Sequence, residues 1–179
     1  KHEEIIKNEV NSGLTLLYVG YDKELLGIIA MRDTMRENAA HTLAKLRKLG
    51  VKELIMLTGD VQSKADQVAS ELGIDRVYAN CLPTDKAGII EQLKAEGKKV
   101  AFIGDGINDA PSLTKAHVGI SMQKGADIAK ATADISLLKD DISSVAVAKD
   151  IANKTMRLIN TNFNATVGIN SLILAGATF

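Results

Sequence analysis

The segment that decides the fold is Gly104-Asp105-Gly106-Ile107-Asn108-Asp109-Ala110-Pro111, a glycine-rich turn. It follows an apolar stretch typical of a strand, residues 99–103. Glycine permits a ligand to approach the backbone closely at the end of a strand. Asp105 and Asp109 lie close in sequence, and Mg²⁺ needs only one or two protein carboxylates when phosphate oxygens and water fill its other positions. The turn therefore predicts a magnesium and phosphate site, although an ordinary surface turn has the same local composition.

Strand-like and helix-like segments alternate on both sides of this turn. The predicted strands are residues 53–57, 76–79, 99–103, 118–122 and 135–138. The predicted helices between them are residues 63–72, 84–96, 110–116 and 126–133, preceded by a helix that ends at Gly50. This alternation predicts an α/β, Rossmann-like fold, a parallel sheet with helices on both faces. Residues 14–19 and 25–30 predict an N-terminal β-hairpin with a five-residue loop.

Polar side chains follow three of the predicted strands. Thr58-Gly59-Asp60 ends the first strand, Lys86 follows the second, and the Asp105/Asp109 turn ends the third. In open parallel sheets, ligands bind beyond the carboxyl ends of the strands. A hydroxyl, an ammonium and two carboxylates at one edge can hold a phosphoryl group with its Mg²⁺, and phosphoryl transfer depends mainly on such positioning and charge stabilisation.

Lys86 lies in the first turn of its predicted helix, for which Thr84 is a candidate N-cap. The helix dipole disfavours a cation there by roughly 0.3–1 kcal/mol. A lysine pointing into water is one interpretation of this position. A nearby phosphate, which would make the position favourable, is the other.

Composition excludes several classes of function. The 22 basic and 22 acidic residues balance, and the chain has only three Tyr, three Phe and no Trp, so no nucleic-acid partner is expected. Cys81 is the only cysteine, which excludes a disulfide framework and favours a small buried side chain. The three histidines, His2, His41 and His117, are scattered and predict no metal cluster.

The C-terminal region is unusual because Arg157 is the last charged residue, and the 22 positions from Leu158 to Phe179 carry no charge. A long helix is predicted to begin near Ile142 and to continue into this region. The apolar closing stretch is shorter than the about 20 residues that a membrane helix needs. It is interpreted as the start of a membrane helix, with a buried C-terminal helix as the alternative.

Three of these segments resemble the later motifs of the phosphorylation domain of P-type ATPases, a domain of the haloacid-dehalogenase-like superfamily. They are residues 58–60, 82–86 and 104–111. Residues 127–129 and 133–141 are similar to the heavy-metal-transporting branch. The resemblance covers essentially the whole chain. It implies ATP-driven transport of a transition-metal or heavy-metal cation across a membrane through an aspartyl-phosphate intermediate.

The resemblance also implies roles for individual residues. Thr58 would hydrogen-bond the phosphoryl oxygens, Gly59 and Asp60 would lie toward the bound nucleotide, and Lys86 would neutralise the aspartyl-phosphate. Asp105 would bind Mg²⁺ directly, with Asn108 and Asp109 supporting the ion and the phosphate. Asp33 and Arg36 resemble the hinge to the nucleotide-binding domain, with a capped helix start as the alternative.

On this interpretation the chain has three parts. Residues 1–32 are the end of a nucleotide-binding domain with its hairpin, residues 33–155 are the phosphorylation domain, and residues 156–179 begin a truncated transmembrane helix. The implied cofactors are Mg²⁺ and ATP. The further partners are the transported cation and membrane lipid, and the expected location is the cell membrane, with this domain on the cytoplasmic face.

The sequence departs from the resemblance in one important respect. The family is phosphorylated on an Asp within an Asp-Lys-Thr-Gly sequence, and this chain contains none. Covalent catalysis by a carboxylate needs that carboxylate, so the chain is predicted to be a fragment that is inactive alone. A soluble phosphatase of the same superfamily and a non-catalytic module that binds Mg²⁺ or phosphate remain alternatives.

Overall fold

The computed structural model describes residues 15–22, 24–31, 35, 37–104, 107–122 and 127–178. The chain divides into two compact units, Lys1–Glu37 and Asn38–Phe179. The predicted hinge residues Asp33 and Arg36 and the predicted magnesium ligand Asp105 lie outside the described residues.

The first unit contains an antiparallel hairpin of β1 (Thr15–Tyr21) and β2 (Glu24–Met31). Tyr21 pairs with Glu24, so the strands approach each other more closely than predicted and the prediction of a five-residue loop was wrong. Asp22 adopts a φ of 45°, a left-handed conformation that Asp tolerates better than most residues and that lets the strands extend further into the turn.

The second unit alternates strands and helices in the predicted order. The strands are β3 (Ile55–Leu57), β4 (Arg76–Tyr78), β5 (Ala101–Gly104), β6 (Val118–Ser121) and β7 (Ile135–Ser136). The helices are α1 (Ala39–Lys48), α2 (Gln62–Leu72), α3 (Pro83–Ala95), α4 (Ala110–Lys115), α5 (Asp127–Thr132) and α6 (Ser143–Thr178), with a 3₁₀ turn at Ile107–Asp109.

All strand pairs of the second unit are parallel, as predicted, but they form two pieces. β3 pairs with β4, and β5, β6 and β7 form a three-stranded sheet in that order. Among the described residues, β3 and β5 each have one edge without a strand partner. The three apolar side chains of β3 are only half-buried, whereas strands inside a parallel sheet are normally covered. The predicted parallel arrangement is therefore confirmed, and among the described residues it is divided between these two pieces.

Two apolar clusters hold the helices against the three-stranded piece. The first contains Leu46, Ile120, Leu137, Val145 and Ala146, so it joins α1 and α6 to β6. The second contains Ile90, Phe102 and Leu113, which join α3 and α4 to β5. These clusters fix the position of the turn that follows β5.

α6 is the longest element, with 36 residues, which corresponds to about 54 Å. Its residues 154–177 are exposed, including Phe163 at 66% and Leu172 at 75%. Within the part of the chain that the structure describes, no helix combines the length and the apolar character required to span a bilayer.

Candidate functional site

The loops that follow β3 and β4 are hydrogen-bonded to each other beyond the ends of the strands. The N–H of Thr58 donates to the Tyr78 carbonyl at 2.9 Å, and the N–H of Cys81 donates to the Thr58 carbonyl at 2.9 Å. Asn80 adopts a φ of 52° and donates its N–H to the Asp60 carbonyl at 2.8 Å. These bonds fix the backbone of Thr58, Gly59 and Asp60 at the carboxyl edge of the strands.

Within this fixed loop, Thr58 and Asp60 contact each other. The Thr58 hydroxyl donates to Asp60 Oδ2 at 2.9 Å and accepts from the Asp60 N–H at 3.1 Å. Lys64 Nζ lies 3.3 Å from Asp60 Oδ1, in an exposed i,i+4 pair. Lys64 was not predicted as a site residue, although its spacing of four residues from Asp60 at the start of a helix indicates such a pair.

Lys86 and Asp109 form the second contact at this edge. Lys86 Nζ donates to Asp109 Oδ1 at 2.9 Å, and the two side chains are only 21% and 10% exposed. The interpretation that Lys86 points into water was therefore wrong. The pair joins α3 to the turn after β5 and brings together two residues that lie 23 positions apart.

The start of α3 differs from the prediction. Leu82 is the N-cap and Pro83 occupies the first helical position, where its missing N–H costs nothing. The Asp85 carboxylate accepts the Leu82 N–H at 2.8 Å. The prediction of Thr84 as N-cap was wrong because the helix begins one residue earlier and Asp85 supplies the capping oxygen.

Gly104 is required by the side chain of Asp109. A Cβ at position 104 would lie 2.7 Å from Asp109 Cβ and 3.0 Å from Oδ2. Asp109 as a whole residue is 7% exposed, so its side chain has little room to move away from position 104. Gly104 therefore allows the Asp109 carboxylate to approach the backbone closely, in addition to any ligand.

Cys81 lies in the loop that follows β4 and contacts Thr58. Its N–H donates to the Thr58 carbonyl, and its thiol donates to the Tyr78 carbonyl at 3.2 Å. Burial and then the charge of Asp85 raise the pKa of the Cys81 thiol, against a smaller opposing effect of Lys86. A thiol with a raised pKa is a poor nucleophile at neutral pH. Cys81 is half-buried rather than fully buried.

The structure thus pairs Thr58 with Asp60 and Lys86 with Asp109, and it places Asn108 exposed in the turn beside Asp109. Among the described residues, no three His, Cys, Asp or Glu side chains cluster at metal-binding distance.

Residues 2–117 match the haloacid dehalogenase-like hydrolase family, and residues 87–148 match a second family with the same description. The first match covers more than half of the chain. The chain belongs to the haloacid dehalogenase-like hydrolase family.

Curated relatives of this haloacid dehalogenase-like chain are metal-transporting ATPases. A probable cadmium-transporting ATPase of Staphylococcus aureus is 40% identical over 173 residues, which are 96% of this chain and 22% of that protein. A copper-exporting P-type ATPase of Bacillus subtilis is 41% identical over 160 residues, which are 89% of this chain and 20% of that protein. The chain therefore spans about a fifth of the length of these relatives.

Solved structures give the same result. A zinc-transporting PIB-type ATPase in its E2.Pi state superimposes with a TM-score of 0.82 and 35% identity, covering 97% of this chain and 28% of that one. The haloacid dehalogenase-like chain thus corresponds in sequence and in fold to one domain-sized part of heavy-metal P-type ATPases.

A phosphatase from Moraxella catarrhalis that shares the fold, with a TM-score of 0.60 and 19% identity, was solved in complex with a magnesium ion and a phosphate ion. The residues described here fit that ion in chemistry: Asp109 supplies a carboxylate, Asn108 an amide oxygen, and Lys86 a cation suited to the phosphate that shares the ion. Two protein oxygen ligands are sufficient for Mg²⁺ when phosphate and water supply the rest.

Proposed function

We propose that this chain is the part of a heavy-metal cation-transporting P-type ATPase that binds the phosphoryl group and Mg²⁺ during ATP-driven transport. The Lys86–Asp109 pair carries the proposal. It places a mostly buried ammonium and a mostly buried carboxylate together at the carboxyl edge of the parallel strands. This is the edge at which ligands of such sheets bind.

The division of the sheet supports the proposal. β3 and β5 are not paired with each other, yet Lys98, which precedes β5, hydrogen-bonds Glu53, which precedes β3. Two strands separated by one further strand would lie about 10 Å apart, within reach of two such side chains. We propose that a parallel strand from elsewhere in the longer protein lies between β3 and β5 and carries the phosphorylated Asp.

The roles of the site residues follow from that placement. Thr58, at the end of β3, and Lys86 would contact the phosphoryl oxygens from the two sides of the added strand. Asp105, Asp109 and Asn108 would hold Mg²⁺, which neutralises phosphate charge when bound. Gly59 and Asp60, with Asp33 and Arg36, would lie toward ATP. Lys64 would keep the Asp60 carboxylate in place through its ion pair.

The remaining parts of the chain fit the same protein. The hairpin has exposed apolar side chains such as Leu26 at 66%, and a two-stranded hairpin is only marginally stable without further packing. We propose that it belongs to a nucleotide-binding domain. The uncharged, exposed end of α6 would lead to the membrane and contact lipid, with the second unit on the cytoplasmic side.

The test is a titration of the 179-residue chain with Mg²⁺ and inorganic phosphate, followed by the amide NMR signals of Thr58, Lys86 and Asn108. Weak binding is expected to shift these signals together. Asp105→Ala is expected to abolish the shifts, because it removes the direct ligand. Asp66→Asn, which alters an exposed carboxylate of α2 bonded to Gln62, is expected to leave them unchanged.

Equal affinity in the wild-type and Asp105→Ala chains would contradict the proposed site. A second measurement addresses the missing nucleophile. Incubation of the chain with labelled ATP is expected to leave no covalent phosphate on any Asp, and label retained on this chain alone would overturn the assignment of the phosphorylated residue to another segment.

A further inference from the structure

Two side-chain hydrogen bonds join α1 to the first part of α6, one at each end of α1. Asn38, directly before α1, donates from Nδ2 to Asp141 Oδ1 at 2.8 Å. Asn153 donates from Nδ2 to the carbonyl of Leu49, directly after α1, at 2.8 Å. The sequence separations are 103 and 104 residues, so the two helices run side by side in the same direction.

Both ends of this contact are held by further bonds. Asp141 Oδ1 also accepts the N–H of Ser143 at 2.9 Å, at the start of α6. Asn153 Oδ1 accepts from Lys149 Nζ at 2.8 Å. Each amide therefore has a defined orientation, and the Asn153 amide satisfies a carbonyl that the end of a helix leaves without an intrahelical partner.

Apolar packing fills the space between the two bonds. Leu46 of α1 is 5% exposed, and Val145 and Ala146 of α6 are 6% and 1% exposed in the same cluster. After Asn153 this packing stops, and residues 154–177 of α6 are exposed. α6 therefore has a held part, residues 143–153, and a projecting part, residues 154–178.

We propose that Asn38 and Asn153 are positioning residues that make α1 and the held part of α6 move as one body. Asn38 is the first residue of the second unit, where the chain enters from residues 1–37. A displacement applied there is transmitted along α1 to the projecting part of α6. The purpose of this transmission rests on the proposed transport function, whereas the transmission itself is a property of this chain.

The alternative is that the two hydrogen bonds are independent local contacts. They lie about 16 Å apart along α1, from the rise of 1.5 Å per residue. Effects of substitutions separated by more than about 7–10 Å without shared partners normally add. Non-additive effects across the two ends would therefore distinguish one body from two local contacts.

The test is native-state amide hydrogen exchange on the whole 179-residue chain with Asn38→Ala, Asn153→Ala and the double variant. Asn38→Ala is expected to accelerate exchange at the far end, in residues 147–153, by more than about twofold, and Asn153→Ala is expected to do so in residues 39–44. The double variant is expected to depart from the product of the single effects by more than about twofold.

Lys154→Ala is the matched control on α6, because Lys154 makes only an exposed i,i+4 pair with Asp150 at 2.7 Å in the described contacts. It is expected to leave exchange in α1 unchanged. If Asn153→Ala prevents folding, Asn153→Asp retains the acceptor for Lys149 and removes the donor to Leu49, and the same cross-end acceleration is expected.

The proposal would be overturned if each substitution accelerated exchange only at its own end and the effect of the double variant equalled the product of the two single effects. This readout requires neither Mg²⁺ nor phosphate. If the chain binds no Mg²⁺ and phosphate but the acceleration at the far end is observed, the proposed function alone is contradicted. If the chain binds them but acceleration stays at the substituted end, the transmission alone is contradicted.

Discussion

The two edges of the parallel strands use charged residues in different ways. At the carboxyl edge, Lys86 and Asp109 form one mostly buried pair. At the opposite edge, Glu53, Arg76, Glu96 and Lys98 form a network. Arg76 lies 3.0 Å from Glu53 and 3.6 Å from Glu96, Lys98 lies 3.2 Å from Glu96, and Lys98 also contacts Glu53.

In the network each charge has two partners of opposite sign. A hydrogen bond from Lys98 lowers the pKa of Glu96, and the hydrogen bond to Glu53 raises the pKa of Lys98. These charges neutralise one another. The described contacts of Lys86, in contrast, use one of its three N–H donors. The same residue types thus neutralise one another in a network at one edge, whereas at the other edge they form a single, mostly buried pair, as the proposed site requires.

The largest effect is expected for Gly104→Ala, which adds a Cβ 2.7 Å from Asp109 Cβ. The substitution should lower the free energy of unfolding by about 1–3 kcal/mol, as overpacking does in well-packed interiors. It should also displace Asp109 from Lys86. Urea denaturation measures the first effect, and loss of the Mg²⁺ and phosphate shifts measures the second.

Gly88→Ala in α3 is the control, because a Cβ there meets nothing within 4 Å. It should stabilise the chain by roughly 0.5–1 kcal/mol, since alanine is the better helix former. Equal stability of the two variants would mean that Asp109 moves without cost, and the distinction between the edges would lose its main support.

The second effect compares one lysine from each edge. Lys86→Met removes the Lys86 ammonium from the Asp109 carboxylate, whose side chain is 10% exposed, and should cost about 2 kcal/mol. Lys98→Met should cost less, because Glu53 and Glu96 keep Arg76 and are 26% and 34% exposed. Thermal unfolding at low and high salt measures both, and a larger loss for Lys98→Met would reverse the comparison.

Much of the fold could be predicted from the sequence, because strand and helix segments were marked by apolar runs and by Gly50, Gly73 and Gly97. All three glycines adopt positive φ, at 97°, 66° and 79°, and end helices as predicted. The division of the sheet could not be predicted from periodicity. β3 has the composition of a fully covered strand, and only the pairing reveals its open edge.

The residue types of the site were predictable, but their partners were not. The pattern suggested that Lys86 and the turn after β5 lie at one edge, yet the 2.9 Å contact with Asp109 depends on where α3 begins. That start was wrongly predicted, because Pro83 and Asp85 together outweigh Thr84 as a cap. The opposite-edge network was not predicted from the sequence, because its four members carry no motif. Glu53, Arg76 and Lys98 lie at or just before the beginnings of strands, and Glu96 lies at the end of α3.

The third effect is a gain in stability at Ser112. Ser112 is fully buried, and among the described residues its Oγ is the buried side-chain polar atom that lacks a hydrogen-bond partner. Ser112→Ala removes that unsatisfied group and should raise the free energy of unfolding by roughly 1 kcal/mol. Urea denaturation at constant pH measures the change.

Ser121→Ala is the matched variant, because Ser121 is equally buried but its hydroxyl donates to the Met122 carbonyl at 3.3 Å. It should give no gain. If both variants raise the free energy of unfolding equally, the gain comes from the smaller side chain and not from the removal of an unsatisfied hydroxyl group.

The smallest effect concerns pH and the opposite edge. Partial desolvation by neighbouring atoms, followed by the charges of Lys99 and Lys94, lowers the pKa of the exposed residue His117 below its ordinary 6.5. Neutral His117 accepts the Val100 N–H through Nδ1 at 3.2 Å. Because the unfolded chain takes up the proton first, this contribution to stability is complete above about pH 6.5 and is lost as pH falls through the lower folded value.

The free energy of unfolding should therefore decrease between pH 7.5 and pH 5.5, and His117→Asn should flatten this slope while its amide oxygen still accepts the Val100 N–H. Asp75 and Glu96 do not interfere, because hydrogen bonds from Arg47 and Lys98 lower their pKa values below the ordinary 3.8 and 4.5. An identical slope in the His117→Asn chain would mean that a group other than His117 causes the pH dependence. The opposite edge would then be insensitive to pH in this range, and the contrast between the edges would rest on ion pairs alone.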